Sequence, residues 1–259
     1  MEQYKIQHLY KYRKINDVPI DWTKNIFAKR ELYFASRNQF NDPFDCRSSF
    51  EFEGTPAEQD SYFRNVVAAR AINWSPTKIR NEASKLRLKA RTDPYFKEKV
   101  ERGIFNSMNK IGIFSLSEVN DDILMWSHYS DSHKGYCLEF IDDNTHFFVS
   151  RAQKVIYRKE LPVVNPLRDK ETERLEKTVL TKAKNWSYEK EWRLLDFEKG
   201  PGIQVFPARL LKGVIFGALM PGEEKQKIKE YCKIGHLDVQ FYQSVLSNRS
   251  YSLEVTKCI

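Results

Sequence analysis

The feature that most constrains the fold of this 259-residue chain is an abrupt change in the spacing of its apolar residues. Within 56–110, apolar side chains recur three and four positions apart, which is the spacing of amphipathic helices. One such stripe consists of Ile79, Ala83, Leu86 and Ala90. Most of the remaining chain carries short alternating or continuous apolar runs, such as 111–118 and 191–197, which are typical of strands. A helical block grouped among runs of strands predicts an α+β fold with a mixed or antiparallel sheet.

Length and composition limit the class of protein further. The length predicts a single α+β domain over residues 1–259, in which 56–110 is a helical insertion. Hydrophobic residues form 41% of the chain, which excludes a mostly disordered protein. No apolar run is long enough to cross a membrane, and the start lacks the apolar segment of a secretory signal. Four widely separated cysteines give no disulfide framework and no zinc motif. We therefore expect a cytoplasmic bacterial protein that contacts no membrane.

Positive charge is concentrated in the predicted helices. The formal net charge is +8, and residues 56–110 contain twelve Lys and Arg against six Asp and Glu. Six of these cations surround the thin apolar stripe within 77–91, namely Lys78, Arg80, Lys85, Arg87, Lys89 and Arg91. Such a row either neutralises the phosphates of a nucleic acid or forms a solvated face that keeps the protein soluble.

A pair of glutamates is the most suggestive motif. Glu189 and Glu191 are separated by one residue and directly precede an apolar run that predicts a strand. In an extended segment, residues i and i+2 project to the same side, so the two carboxylates repel each other. That repulsion is offset either by a function or by the neighbouring cations Lys190 and Arg193. The pair therefore marks either a catalytic site or an exposed strand edge of alternating charge.

Three further residues lie in segments where binding sites form. His128 and Tyr129 follow an aspartate pair ending at Asp122, which predicts the start of a short helix. His128 either transfers protons or forms the polar wall of a pocket, and Tyr129 either lines that pocket or packs against Trp126. Asp45 follows a turn signal, Asn-Asp-Pro, in a polar loop between predicted strands. Because sites often lie on such loops, Asp45 is a candidate substrate-binding residue.

Four ordered blocks resemble a bacterial family, and together they extend over nearly the whole chain. The segments LYKYR, LYFASRNQFNDPFDC, IFSLSEVNDDILMWSHYSDSHKGYCLEF and KNWSYEKEWRLL are similar to the family called domain of unknown function 2971. This resemblance implies no activity, so the chemistry has to be argued from individual residues.

A second resemblance implies an activity. The Glu-x-Glu pair is similar to the signature of the arginine–serine–glutamate ADP-ribosyltransferases, and Arg13, Ser115 and Ser117 occur in that family's order. Leu116 stands between the serines where the family has threonine, and the interval that follows is longer than in compact members. The resemblance implies an ADP-ribosyltransferase-like α+β core that uses NAD as its substrate.

The same resemblance implies a role for each matched residue. Glu191 would stabilise the positive charge that develops on the ribose of NAD, and Glu189 would activate the acceptor. Arg13, with Tyr12 beside it, would bind the NAD phosphates, because a guanidinium grips phosphate through two hydrogen bonds. The serines would position Glu191.

The leading interpretation is therefore an NAD-cleaving or ADP-ribosyl-transferring enzyme, of the kind that serves as a toxin or defence effector. Its partners would be NAD and a protein or nucleic-acid acceptor. No metal is expected, since the five histidines show no paired ligand spacing. The alternative is a non-catalytic module that binds nucleic acid through the basic helices. The enzyme interpretation expects Arg13, Ser115 and Glu191 to meet in one cleft.

Overall fold

The computed structural model describes residues 8–15, 21–71, 73–141 and 151–258, and these form an α+β fold. The helices in these ranges are α1 (Trp22–Ala28), α2 (Pro56–Ala68), α3 (Pro76–Thr92), α4 (Phe96–Met108), α5 (Ile123–Tyr129), α6 (Glu171–Val179) and α7 (Gly222–Ile234). The strands are β1 (His8–Arg13), β2 (Glu31–Phe34), β3 (Ser49–Phe50), β4 (Gly112–Ser117), β5 (Tyr136–Ile141), β6 (Gln153–Lys154), β7 (Ile156–Arg158), β8 (Val163–Val164), β9 (Thr181–Ala183), β10 (Glu191–Asp196), β11 (Gly202–Val205), β12 (Leu211–Phe216), β13 (Gln240–Leu246) and β14 (Leu253–Lys257).

Contacts within the chain divide it into two compact units. The first consists of Met1–Gln39, Ile111–Tyr157 and Lys184–Ile259, and the second of Phe40–Lys110 and Arg158–Ala183. The expectation of one domain over 1–259 stays a prediction. None of the helices within the described ranges is long and apolar enough to cross a membrane.

The first unit is built on an eight-stranded sheet in the order β14-β13-β12-β5-β1-β4-β10-β6. Neighbouring strands run antiparallel except β12 and β13, which are parallel. The predicted α+β class, with a mixed and mostly antiparallel sheet, is therefore confirmed. Strand β4 lies between β1 and β10, so the serine strand and the strand of the glutamate motif are direct neighbours.

Apolar side chains cover both faces of this sheet. On one face Leu9 of β1 packs in a cluster with Phe114 and Leu138. On the other face Tyr12 packs in a second cluster with Trp126 of α5. Successive residues of a strand point to opposite faces, so odd and even positions of β1 contribute to different clusters. The face that α5 covers carries the candidate site.

The second unit contains the three helices α2, α3 and α4 in the segment where the helical spacing predicts them. They enclose a small cluster in which Phe63, Val67 and Ala83 are buried. Ile79 and Leu86 are half-buried against the same cluster, so the predicted inward stripe of α3 is confirmed. The cations of α3 are left on its outer faces.

Candidate functional site

Helix α5 is fixed to the sheet by a cap and a buried indole. The carboxylate of Asp122 accepts hydrogen bonds from the backbone N–H groups of Leu124 and Met125 at 2.9 and 3.0 Å, so the predicted cap is confirmed. Trp126 is fully buried, and its Nε1–H donates to the Asn120 carbonyl at 2.8 Å. Together these contacts orient α5 so that His128 remains exposed.

Tyr12 supports this helix from the sheet. Its ring meets the Trp126 ring edge-on at 5.2 Å between centroids, and its hydroxyl donates to the Val119 carbonyl at 2.8 Å. Burial, reinforced by nearby Cys137 and acidic charges, raises the pKa of Tyr12 far above its usual range. The hydroxyl therefore stays protonated and serves as a backbone hydrogen-bond donor.

The backbone of the glutamate motif differs from the predicted extended segment. Glu189 ends a 3-10 helix, Lys184–Glu189, and Glu191 is the first residue of β10. Lys190 between them has a left-handed backbone with φ of 43°. The prediction that both carboxylates project from one extended strand is therefore wrong. Both glutamates are buried, at 3% and 4% exposure, so the alternative of an exposed strand edge is wrong as well.

Glu191 is paired with a buried cation. The Arg193 side chain is fully buried, and its Nε and Nη2 donate to the two Glu191 carboxylate oxygens at 2.7 and 3.0 Å. A two-pronged contact of this kind is among the strongest hydrogen-bonded arrangements in proteins. It neutralises the Glu191 charge inside the fold, as the sequence alternative with Arg193 expected.

The serines share a face of the sheet with Glu191 but do not position it by the expected contact. Ser117 lies directly opposite Glu191, and Ser115 lies opposite Arg193. The Ser117 hydroxyl donates to the backbone carbonyl of Glu189 at 2.6 Å. The Ser115 hydroxyl is buried and makes no hydrogen bond within the described part of the chain. The Ser117 bond thus holds the turn between the two glutamates.

Arg13 does not join these residues. Tyr10 of β1 pairs with Ser117, and Tyr12 lies on the same face, so Arg13 projects to the opposite face. There it lines a small cleft with Trp22 and other residues of the first apolar cluster. The prediction that Arg13, Ser115 and Glu191 meet in one cleft is therefore wrong. Arg13 lies on the face of β1 opposite to the one that carries Tyr10 and Tyr12.

Glu189 faces α5 instead. Its carboxylate accepts a hydrogen bond of 2.6 Å from the Tyr129 hydroxyl, and Tyr129 is only half-buried. The contact joins a buried acid to a residue that reaches the surface. Tyr129 is thus more than a packing residue, because its hydroxyl orients the carboxylate.

Beside this contact lies a group of rings that we call the aromatic rim, formed by His128, Trp186 and Tyr188. His128 Nδ1 is 3.0 Å from the Tyr188 hydroxyl, and its ring centroid is 6.3 Å from that of Trp186. The sequence interpretation missed Trp186 and Tyr188. Their signal was the spacing Trp-x-Tyr directly before Glu189, which puts a second pair of rings next to the glutamate motif.

Asp45 and the α3 cations belong to the second unit. Asp45 is 7% exposed and forms an ion pair with the buried Lys182, 3.2 Å from its Nζ. On α3, Lys85 is 2.6 Å from Glu82 and Arg87 is 3.8 Å from Asp60.

The other α3 cations are more open. Lys78 lies 4.0 Å from the centre of the Trp74 ring. Arg80, Lys89 and Arg91 are exposed and form no ion pair with another described residue. Within the described ranges, no group of three or more His, Cys, Asp or Glu is arranged to hold a metal.

A comparison with protein families links the chain to one of them over part of its length. The family described as Protein of unknown function (DUF2971) matches residues 125–194, roughly a quarter of the chain. The match begins in α5 and ends in β10, so it includes the aromatic rim, Tyr129 and both glutamates. Neither the curated proteins nor the solved structures yielded a match. These comparisons do not support the resemblance to ADP-ribosyltransferases.

Proposed function

We propose that the protein cleaves the bond between nicotinamide and ribose in NAD and transfers ADP-ribose to water or to an acceptor. The observation that carries the proposal is the hydrogen bond between Tyr129 and the buried Glu189 carboxylate beside the aromatic rim. The rim offers ring faces for a planar heterocycle, and the carboxylate lies next to it. This is the ADP-ribosyltransferase-like chemistry of the sequence interpretation with its residues reassigned.

The reaction requires a negative charge close to the ribose. The bond from C1′ to the nicotinamide nitrogen breaks, and nicotinamide leaves as a neutral ring with the bonding electron pair. Positive charge then develops on the ribose, and a fixed carboxylate stabilises it in the transition state. The oxygen of water or of the acceptor forms a new bond to C1′, and its proton passes to His128, which is exposed at the rim.

We assign the reacting carboxylate to Glu189 rather than Glu191. The Arg193 guanidinium holds both oxygens of Glu191, so that charge is already used inside the fold. Glu189 accepts a hydrogen bond from the hydroxyl of Tyr129, which reaches the surface and orients the carboxylate beside the aromatic rim. Substrate approaches the carboxylate from the side of the half-buried Tyr129, whose hydroxyl keeps the carboxylate oriented.

The direct test is incubation of the full chain with NAD, followed by chromatography of the products. We expect free nicotinamide to accumulate. Trp186→Ala should raise KM roughly ten-fold, because a stacking surface for a ring is lost. A suitable control is Phe197→Ala, which removes an exposed ring outside the rim. Folded protein that releases no nicotinamide above the spontaneous rate would contradict the proposal.

A second candidate function is nucleic-acid binding through α3. It is favoured by the exposure of Arg80, Lys89 and Arg91, whose charges are not used in ion pairs with other described residues. Most non-specific affinity for nucleic acid comes from neutralising phosphates, which makes it steeply dependent on salt.

The α3 prediction concerns that salt dependence. Changing Arg80, Lys89 and Arg91 together to Gln should reduce the slope of log affinity against log salt by about 3, one for each lost phosphate contact. Lys97→Gln on α4, an exposed cation, is the matched control. An unchanged slope, or no binding at low salt, leaves α3 as a solvated face.

A further inference from the structure

The second unit contains a basic cleft that neither candidate function uses. We call it the Phe44 pocket; it has a volume of about 140 Å³. Its charged lining consists of four cations and one acid, namely Arg47, Arg158, Lys159, Lys182 and Glu160. Lys182 is paired with Asp45, so three cations against Glu160 remain to favour an anionic ligand.

One cation of the pocket is buried, and the other three are exposed. Asp45 is buried and pairs with Lys182 at 3.2 Å, which fixes the one buried cation of the lining. Arg158 and Lys159 are exposed and form no ion pair with another described residue. Asp45 is therefore a positioning residue beneath the pocket rather than a group that contacts a ligand.

An exposed ring forms part of the same lining. Phe44 is 54% exposed, although it is a large apolar side chain. Its backbone N–H donates to the Asp42 carboxylate at 2.8 Å, which fixes the turn that presents the ring. The Arg47 guanidinium lies 5.5 Å from the ring centre. The turn predicted from Asn-Asp-Pro therefore holds an exposed aromatic ring beside cations. Turn chemistry alone does not explain that arrangement.

We propose that the Phe44 pocket binds single-stranded nucleic acid, with one base stacked on Phe44 and its phosphates on Arg47, Arg158 and Lys159. Stacking on an exposed ring combined with a cationic track is the way proteins hold single strands without reading sequence. The volume favours a strand over a free dinucleotide. At about 140 Å³ the pocket is smaller than the roughly 300–1,000 Å³ that encloses a drug-sized ligand, so it has room for a single nucleotide unit rather than a whole dinucleotide.

The test measures binding of a fluorescent single strand of about 12 nucleotides by anisotropy, at a salt concentration of about 50 mM. Phe44→Ala should weaken binding roughly ten-fold. Arg158→Gln should weaken it and reduce the salt slope by about 1. The matched controls are Phe197→Ala, another exposed ring, and Arg102→Gln, an exposed cation on α4. Nicotinamide release from NAD should be the same in all four variants.

Other outcomes would overturn the proposal. One is absence of strand binding by the folded protein, and another is equal loss in the pocket variants and in their controls. A duplex that binds as tightly as the strand, with the same dependence on Phe44, would show that no unstacked base is held. Displacement of the strand by adenosine monophosphate at equal concentration would identify a mononucleotide site instead.

Discussion

Glu189 and Glu191 are both buried, and they face different surroundings. The Glu191 carboxylate is bound by the Arg193 guanidinium, and the Glu189 carboxylate accepts a hydrogen bond from Tyr129 of α5. The difference arises at Lys190, whose left-handed backbone turns the chain between the 3-10 helix and β10. The rule that residues i and i+2 share a side holds only within a continuous strand. The sequence does not predict this turn, because lysine rarely adopts a positive φ.

The buried ion pair gives a prediction about stability. Arg193→Met should lower the free energy of unfolding by about 3–5 kcal/mol, because it leaves the Glu191 charge buried without this cation. The double variant Glu191→Leu with Arg193→Met should lose less than the sum of the two single variants, because the two side chains bind each other in the native fold. Urea denaturation of the single variants and the double variant measures the coupling. Additive losses in the double variant would show that the two side chains act independently.

At the scale of elements, the position of α5 determines the site. The helix has seven residues, and helices of this length are not stable alone in water. Its position therefore depends on the Asp122 cap and the buried Trp126. His128 and Tyr129 reach the aromatic rim and Glu189 only while the helix is held there.

Removal of the cap should therefore affect both stability and the site. Asp122→Ala should lower the free energy of unfolding by about 1 kcal/mol and raise KM for NAD more than it lowers kcat. The neighbouring Asp121→Ala is the control, because Asp121 is exposed and does not cap the helix. Denaturation and steady-state kinetics on the two variants separate these effects. Equal effects of the two substitutions would contradict the role of the cap.

Sequence patterns predicted the helices and strands better than they predicted which face of the sheet each side chain occupies. Helix α5 and its cap at Asp122 could be predicted, because apolar spacing and capping chemistry are local features of the sequence. The face of the sheet on which Arg13 lies could not be predicted, because Leu9 and Tyr12 on the same strand are both buried, on opposite faces. With both faces covered, alternation of apolar and polar residues gives no direction to a side chain. The aromatic rim depends on a contact 60 residues apart in sequence, between His128 and Tyr188, which no local pattern contains.

At the scale of the whole molecule, most of the cysteines are buried. Cys46, Cys137 and Cys232 are buried, and Cys258 is half-buried. Burial raises the pKa of Cys137 well above its usual range and that of Cys232 to about 12. Thiolate is the reactive form, so buried thiols of raised pKa react slowly.

Titration of native protein with a thiol reagent near pH 8 should therefore modify Cys258 first. Mass spectrometry of the digested protein identifies the modified residue. The other three should react at comparable speed only after addition of denaturant. Rapid reaction of Cys137 or Cys232 in the native protein would contradict the described core.

The most direct test of the central claim compares Glu189→Gln with Glu191→Gln in nicotinamide release from NAD, with the folded fraction of each variant measured in parallel. We expect Glu189→Gln to lose on the order of 10²–10³ in kcat per folded molecule, because a preorganised charge is removed from the transition state. Glu191→Gln should lower the free energy of unfolding and retain most of its turnover per folded molecule. A larger loss of kcat in folded Glu191→Gln than in Glu189→Gln would contradict the assignment of Glu189 as the reacting carboxylate.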